Sequence, residues 1–268
     1  MLAIGPAGAS AAVRVAPSPG VTVGMWGGTP IRSLDPPTPL PPARSAASPT
    51  PGSPDRRDRR LSDESSLTRW ANITDPEAIR SRPDARSRRM GVLRWYTEDG
   101  FPEVYLLLRS HWDDQGVEWV QLRIPGRPNG RTGWVTRDAL GPLHNSRSLL
   151  VIDRPRLHIT LYRRGRRIWR APVGIGKPST PTPAGHFWVR ERFKVLDPSS
   201  PYAPYALGTA DYSTLTEWPG GGVVGIHGDW NQPWLIPGQP SHGCVRLHRE
   251  DVAWLAHHIA TGTPLRIL

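Results

Sequence analysis

Twelve of the thirty-one prolines of this chain fall within its first sixty residues, and that crowding decides where a fold is expected. Proline fixes φ and removes a backbone donor, so such a stretch is barred from helix interiors and central strands. The rest of it is largely Ser, Ala and Gly with almost no aromatic residue. It therefore offers too little apolar surface to offset its chain entropy, and reads as a disordered, partly extended linker. The stretch from Arg56-Arg57-Asp58-Arg59-Arg60 to Arg88-Arg89 is charged and shows no sustained apolar period. Ten of the twelve tryptophans lie at or after Trp95, which places the start of the packed region near Met90 and assigns 1–89 to the linker.

From 90 to 145 the pattern is of short strands punctuated by turns. Val104–Leu108 is a compact apolar run, Val117–Ile124 alternates over its second half, and Pro128-Asn129-Gly130 is a strong turn signal. Gly133–Thr136 reads as a returning strand. From Ser148 the strands lengthen, with Leu157, Ile159 and Leu161 on one face and His158, Thr160 and Tyr162 on the other. Arg163–Arg166 turns that strand into a hairpin. A single helix is predicted near the C-terminus, where Val252, Leu255, Ala256 and Ile259 recur at helical spacing, with Gly262 as its stop. The expected fold class is mainly β, with one C-terminal helix.

The chain has one cysteine, Cys244, in Ser241-His242-Gly243-Cys244-Val245-Arg246, seventeen residues after His227. A lone cysteine is ordinarily a small buried hydrophobe. Here its neighbours form a polar, turning segment instead, and a thiol acts as a nucleophile only with an imidazole partner and donors for an oxyanion. His227 ends the alternating run Val223–His227, sharing a face with Gly225, whose missing side chain is expected to leave room for substrate or thiol. Zinc is a weaker reading of His227, His242 and Cys244, since no fourth ligand stands at a recognised spacing.

The His-Gly pair at 227–228 followed by Ser-His-Gly-Cys-x-Arg resembles the signature of the L,D-transpeptidase (YkuD-type) catalytic domain. A second block, Gly174 to Phe187 with Thr182-Pro183-Ala184-Gly185-His186-Phe187, resembles the turn that precedes a strand in that family. The resemblance covers about 148–268 and implies a β-sandwich. The segment 90–145, with its Trp-x-x-Val and Gly-Trp-Val patterns, is similar to bacterial SH3-like domains. It reads either as a wall-binding module or as a spacer whose tryptophans fill its own core. The resemblance implies Cys244 as nucleophile, His227 as base and the Gly228 carbonyl as orienter of its ring. It also implies amides around His242, Gly243 and Cys244 as oxyanion donors, with Ser241 and His242 supporting the turn. Arg246 is a candidate for holding a substrate carboxylate or for anchoring structure, and Trp234 is a candidate substrate contact at a pocket edge where Asp229-Trp230 replaces the usual threonine.

The implied reaction is acyl transfer between peptidoglycan stem peptides, giving 3→3 crosslinks through a thioester that carbapenems are expected to trap. Alternatives are hydrolysis by water (a carboxypeptidase) and a non-catalytic wall-binding protein. A papain-type peptidase has the opposite order of Cys and His. No cofactor is expected. The formal net charge of +11, nearly all of it arginine, favours anionic polymers. The basic residues are scattered without a nucleic-acid motif, so an acidic wall polymer is expected, or a merely solvated surface. No run approaches a membrane helix in length, and no secretory signal is read at the start. A cell-wall or periplasm-like location follows from the resemblance alone.

Overall fold

The computed structural model describes residues 23–35, 58–217 and 219–268. The linker expected at 1–22 and 36–57 lies outside the described residues. At 23–35 and 58–89 the chain forms strands rather than linker. β1 (Val23–Trp26) and β2 (Thr29–Ser33) make a hairpin about Gly27-Gly28, both at positive φ. That mirror-image turn matches the twist of the strands, and glycine adopts it without a Cβ clash. Val23 and Met25 face outward while Trp26 and Ile31 are buried.

β3 (Asp58–Arg60), β4 (Thr68–Ala71), β5 (Ala78–Arg80), β6 (Arg89–Val92), β7 (Tyr105–Trp112), β8 (Glu118–Arg123), β9 (Thr132–Thr136) and β10 (His144–Ser146) form one antiparallel sheet. Its path is β10-β4-β7-β8-β9-β5-β6, with β3 beside β7. The smaller domain therefore begins at 58, not 90. Strands of three or four residues interleaved with arginine are too short to display a period. Yet Leu61, Ala71, Ile73 and Ile79 each bury an anchor against Leu107, Val120 and Leu122.

The larger domain follows: β11 (Ser148–Asp153), β12 (His158–Arg163), β13 (Arg166–Pro172), β14 (Gly174–Gly176), β15 (Gly185–Val195), β16 (Tyr205–Tyr212), β17 (Val223–His227), β18 (Gly238–Ser241), β19 (Val245–Arg246), α1 (Arg249–His258) and β20 (Pro264–Ile267). β15 serves both layers. Its first residues pair with β20 and its later ones with β16 and β2, so one hydrogen-bonded network folds over into a sandwich. Leu150, Ile152, Ile159 and Leu161 on one layer meet Leu207, Ile226 and Val245 on the other. α1 adds Val252, Leu255 and Ala256. It stops at His258, short of Gly262, which turns at positive φ beneath the Trp70 ring of the smaller domain.

The two domains share a core. Val104 and Leu106 of the smaller one belong to the sandwich cluster, and the Trp188 indole donates to the Val104 carbonyl at 2.8 Å. Beside this contact lies a buried ionic cluster. Arg190 on β15 donates to both Glu103 carboxylate oxygens and stands 2.9 Å from Glu98, while Arg94 pairs with the same two glutamates at 3.0 Å each. Among the described residues no helix is long and apolar enough to cross a membrane.

Candidate active site

β17 and β19 run side by side in parallel, with Ile226 opposite Val245 and His227 opposite Arg246. Paired residues on adjacent strands point to one face, and faces alternate along each strand. Cys244, one residue before β19, therefore shares a face with Gly225, His227 and Arg246. The Gly225 N–H donates to the Cys244 Sγ at 3.5 Å. The space expected beside Gly225 is only partly for the thiol. Trp26 ring atoms lie 2.5 and 2.7 Å from where a Cβ on Gly225 would stand, so only glycine permits that approach.

His227 is 1% exposed, and its Nδ1 lies 2.8 Å from the Gly228 carbonyl. A carbonyl only accepts, so the proton is on Nδ1 and Nε2 of the neutral ring is left as the basic nitrogen. Three aromatic rings surround the imidazole: Tyr202 at 5.0 Å, Trp26 at 5.7 Å and Trp230 at 5.9 Å between centroids. Burial among them, together with the positive charge of Arg246, lowers the His227 pKa to about 3 despite the Gly228 carbonyl. Burial likewise raises the half-buried Cys244 to about 11. The charge of Asp211 adds to that rise, while the Gly225 N–H and Arg246 oppose it. Both shifts favour a thiol and a neutral imidazole at rest over an ion pair.

The turn before the thiol is closed from two sides. The Gly243 N–H donates to Ser241 Oγ at 3.1 Å, and Ser241 Oγ donates to the Cys244 carbonyl at 2.5 Å. The Gly243 amide, expected as an oxyanion donor, is therefore already engaged by Ser241. From the other side Thr182 Oγ1 donates to the Gly243 carbonyl at 2.7 Å and accepts from the Gly176 N–H at 2.9 Å. The block from Gly174 to Phe187 is thereby tied to the cysteine block: its threonine fixes the cysteine's turn.

His242 is exposed, and its Nε2 lies 3.1 Å from Lys177 Nζ. Partial burial, Lys177 and Arg246 lower its pKa. Arg246 is 6% exposed, donates to Gln232 at 3.1 Å and lies 5.1 Å over the Trp230 ring, the arrangement of an anchor for the loop after His227. Trp234, 74% exposed, projects from the turn Pro233–Leu235. It is Trp230 that reaches the imidazole. Sequence reasoning passed over Trp26 and Tyr202, and gave Lys177 and Thr182 no role at the site although both lie in the block from Gly174 to Phe187. The Trp26-Gly27-Gly28-Thr29 hairpin signal was present but lay among prolines.

The wall beside this turn is braced from the smaller domain. Arg127 donates to the carbonyls of Ser213, at 2.7 Å, and of Gly221, also at 2.7 Å. Asn129 exchanges two hydrogen bonds with the Tyr212 backbone. Ser213 in turn packs 3.1 Å from the Cβ position of Gly243. Among the described residues no three His, Cys, Asp or Glu side chains gather as a metal site.

A sandwich that sets one thiol on the same face as one buried imidazole defines a class of site, and comparison with known proteins shows what this segment is similar to. Residues 147–267 match the family model of the L,D-transpeptidase catalytic domain, YkuD. L,D-transpeptidase 1 of Mycobacterium tuberculosis is 32% identical over 121 residues, covering 41% of this chain and 45% of that protein. The putative L,D-transpeptidase YkuD of Bacillus subtilis is 32% identical over 109 residues, covering 41% and 58%. The chain thus spans about half the length of the curated relatives it matches. Among solved structures, an L,D-transpeptidase from Mycobacterium smegmatis aligns over 57% of this chain and 90% of its own, at 18% identity and a TM-score of 0.37.

Proposed function

We propose that the whole chain is a peptidoglycan L,D-transpeptidase that forms 3→3 crosslinks through a thioester on Cys244. The observation that carries this reading is the shared face of Cys244 and His227 on adjacent strands, with Nδ1 committed to a carbonyl and Nε2 left basic. As the sulfur attacks the carbonyl carbon between the third and fourth residues of a donor stem, its proton passes to Nε2. The tetrahedral oxyanion is received by the Cys244 amide, because the Gly243 amide serves Ser241. Collapse breaks the C–N bond, and the imidazolium returns its proton to the departing D-alanine amine. The amine of an acceptor stem then attacks the thioester, gives up a proton to Nε2, and the thiol is regenerated. Water in place of that amine gives the carboxypeptidase reaction.

Burial keeps the pair neutral at rest and makes transfer of the thiol proton to Nε2 uphill, so that transfer is coupled to attack on the substrate carbonyl. A thiol held neutral resists oxidation and stray alkylation until a substrate carbonyl arrives. Arg246 is read here as the anchor of the 229–235 loop, and Trp234, Lys177 and His242 as the exposed rim that a stem peptide meets. A substrate outside the cytoplasmic membrane implies an extracytoplasmic site of action. The test is intact-mass spectrometry of the full chain after incubation with a carbapenem, alongside exchange of D-alanine into a tetrapeptide. An adduct that Cys244→Ala abolishes supports the reading. Absence of both adduct and exchange overturns it and leaves the wall-binding alternative.

A further inference from the structure

The N-terminal hairpin lies outside the segment matched to the catalytic-domain family, yet it ends against the imidazole. β2 extends the sandwich by pairing with β15, Ile31 opposite Val195 and Ser33 opposite Phe193, and the Leu196 N–H donates to the Pro30 carbonyl at 2.9 Å. Just beyond β2, Asp35 accepts from Arg192 at 2.6 Å and from the Thr261 hydroxyl. Held along this length, the hairpin delivers Trp26, 6% exposed, into the space that Gly225 leaves open. The indole meets Tyr202 at 4.6 Å, Phe193 at 5.2 Å and His227 at 5.7 Å, crossing the imidazole at 67°.

We propose that Trp26 is a positioning residue of this active site, and that its hairpin forms the wall that holds the His227 ring edge-on and keeps water from it. This rests on the reading of His227 as the base. An indole against a glycine leaves no room for a water layer at that edge of the ring. The charged and titratable groups facing the imidazole are Arg246 from β19, the Cys244 thiol and the Tyr202 phenol. Asp211 acts on the thiol and Asp229 on Arg246 one step further out. None of these offers His227 a close carboxylate, so its neutral state depends on exclusion of water. Opening that wall lets water solvate the imidazolium and moves its titration upward from about 3 toward the ordinary 6.5.

The test uses the full chain with Trp26→Ala, Trp26→Leu and Trp26→Phe. The His227 titration is followed by NMR, assigned by subtraction of a His227→Gln spectrum, together with the pH profile of carbapenem acylation. Trp26→Ala should raise the His227 midpoint by at least about one pH unit, a tenfold change in the protonated-to-neutral ratio at fixed pH. The acidic limb of the acylation profile should move the same way, and Trp26→Phe should restore most of both. A folded Trp26→Ala with midpoint and limb unmoved overturns the proposal. If that variant does not fold, Trp26→Leu, which keeps apolar bulk but loses the ring, should give a smaller shift of the same sign, and no shift overturns it. Hydrogen–deuterium exchange at the His227 Cε1 gives a reading on the unmodified chain: slow exchange is expected, and exchange as fast as that of exposed His242 overturns the shielding. If the unmodified chain forms no carbapenem adduct the catalytic reading fails, whereas titration and exchange still judge the wall.

Discussion

Arg190 and His227 are equally buried, at 2% and 1% exposure, and lie on the same hydrogen-bonded network, yet one is held charged and the other neutral. Around Arg190 burial is answered by Glu103 and Glu98 at hydrogen-bond distance, and the guanidinium pKa is raised despite desolvation. Glu98 shows the same balance from the acidic side: burial pushes it up, but Arg190, the Tyr212 hydroxyl and Arg94 hold it at about 2. Around His227 the neighbours are indoles, a phenol and a carbonyl, with Arg246 as the near charge. Equal desolvation therefore gives opposite protonation, decided by whether countercharge came in with the group. The charged region joins two domains, and the neutral one holds the thiol.

The comparison breaks most sharply in the catalytic direction. His227→Gln should cut carbapenem acylation by about 10²–10⁴-fold, the usual worth of a positioned base, while the thermal midpoint stays put or rises. Stopped-flow acylation beside calorimetry checks this. A variant within a few-fold of the parent removes His227 from the mechanism. Arg190→Met should behave in the reverse manner. Leaving Glu103 and Glu98 with Arg94 as their remaining partner should cost up to ~3–5 kcal/mol of stability by denaturant titration. The acylation rate of the folded fraction should change much less than with His227→Gln.

Acidity sharpens the contrast further. The folded pKa of His227 lies below its unfolded value, so between about pH 6.5 and 3 the unfolded chain binds a proton that the folded chain refuses. Its contribution to stability is present above 6.5 and is lost as pH falls through that window, at about 1.4 kcal/mol per pH unit. Asp211 runs the other way. Burial raises it from 3.8 to about 7, with the Thr209 hydrogen bond opposing, so its contribution is present below 3.8 and lost as pH rises toward 7. The two windows overlap with opposite slopes, so each masks the other: Asp211→Asn should make stability fall more steeply as pH drops from about 6.5 to 4, and His227→Gln should make it fall as pH rises from about 4 to 7. An unchanged profile between about pH 4 and 7 in Asp211→Asn overturns the carboxyl's assignment.

The same contrast accounts for what could be read from the sequence. The site turn was legible because Ser241, His242, Gly243 and Cys244 are contiguous and His227 ends an alternating strand. The long strands of the sandwich and α1 were legible because their periods run far enough to show. What stayed hidden depends on distance in sequence. Trp26 stands two hundred residues from the ring it covers, and its burial comes from a strand pairing that local pattern does not encode. The short strands from β3 to β6 and the turns beside them bury single anchors such as Leu61, Ala71, Ile79 and Leu93 among arginines, and the junction carboxylates look like surface charge until Arg190 is placed between them. Trp230 was not singled out as the imidazole's neighbour because it shares a loop with Trp234, and only the loop's path decides which indole turns inward.

The smallest effect lies where the two regions meet, in the brace from the smaller domain to the wall beside the thiol. Arg127 and Asn129 hold the backbone of Tyr212, Ser213 and Gly221, and Ser213 backs Gly243. Both side chains remain within reach of water, so losing either should cost only ~1–2 kcal/mol of stability. The kinetic consequence is more specific. With Arg127→Ala the wall can shift relative to the Cys244 turn, while the turn itself stays pinned by Ser241 and Thr182. The expected result is a rise of a few-fold in KM for a stem-peptide donor with kcat nearly constant, and partial rescue by Arg127→Lys, which restores one donor of the fork. A fall in kcat at unchanged KM would mean that the brace acts on the thiol turn rather than on the wall, and would make the smaller domain part of the reacting geometry.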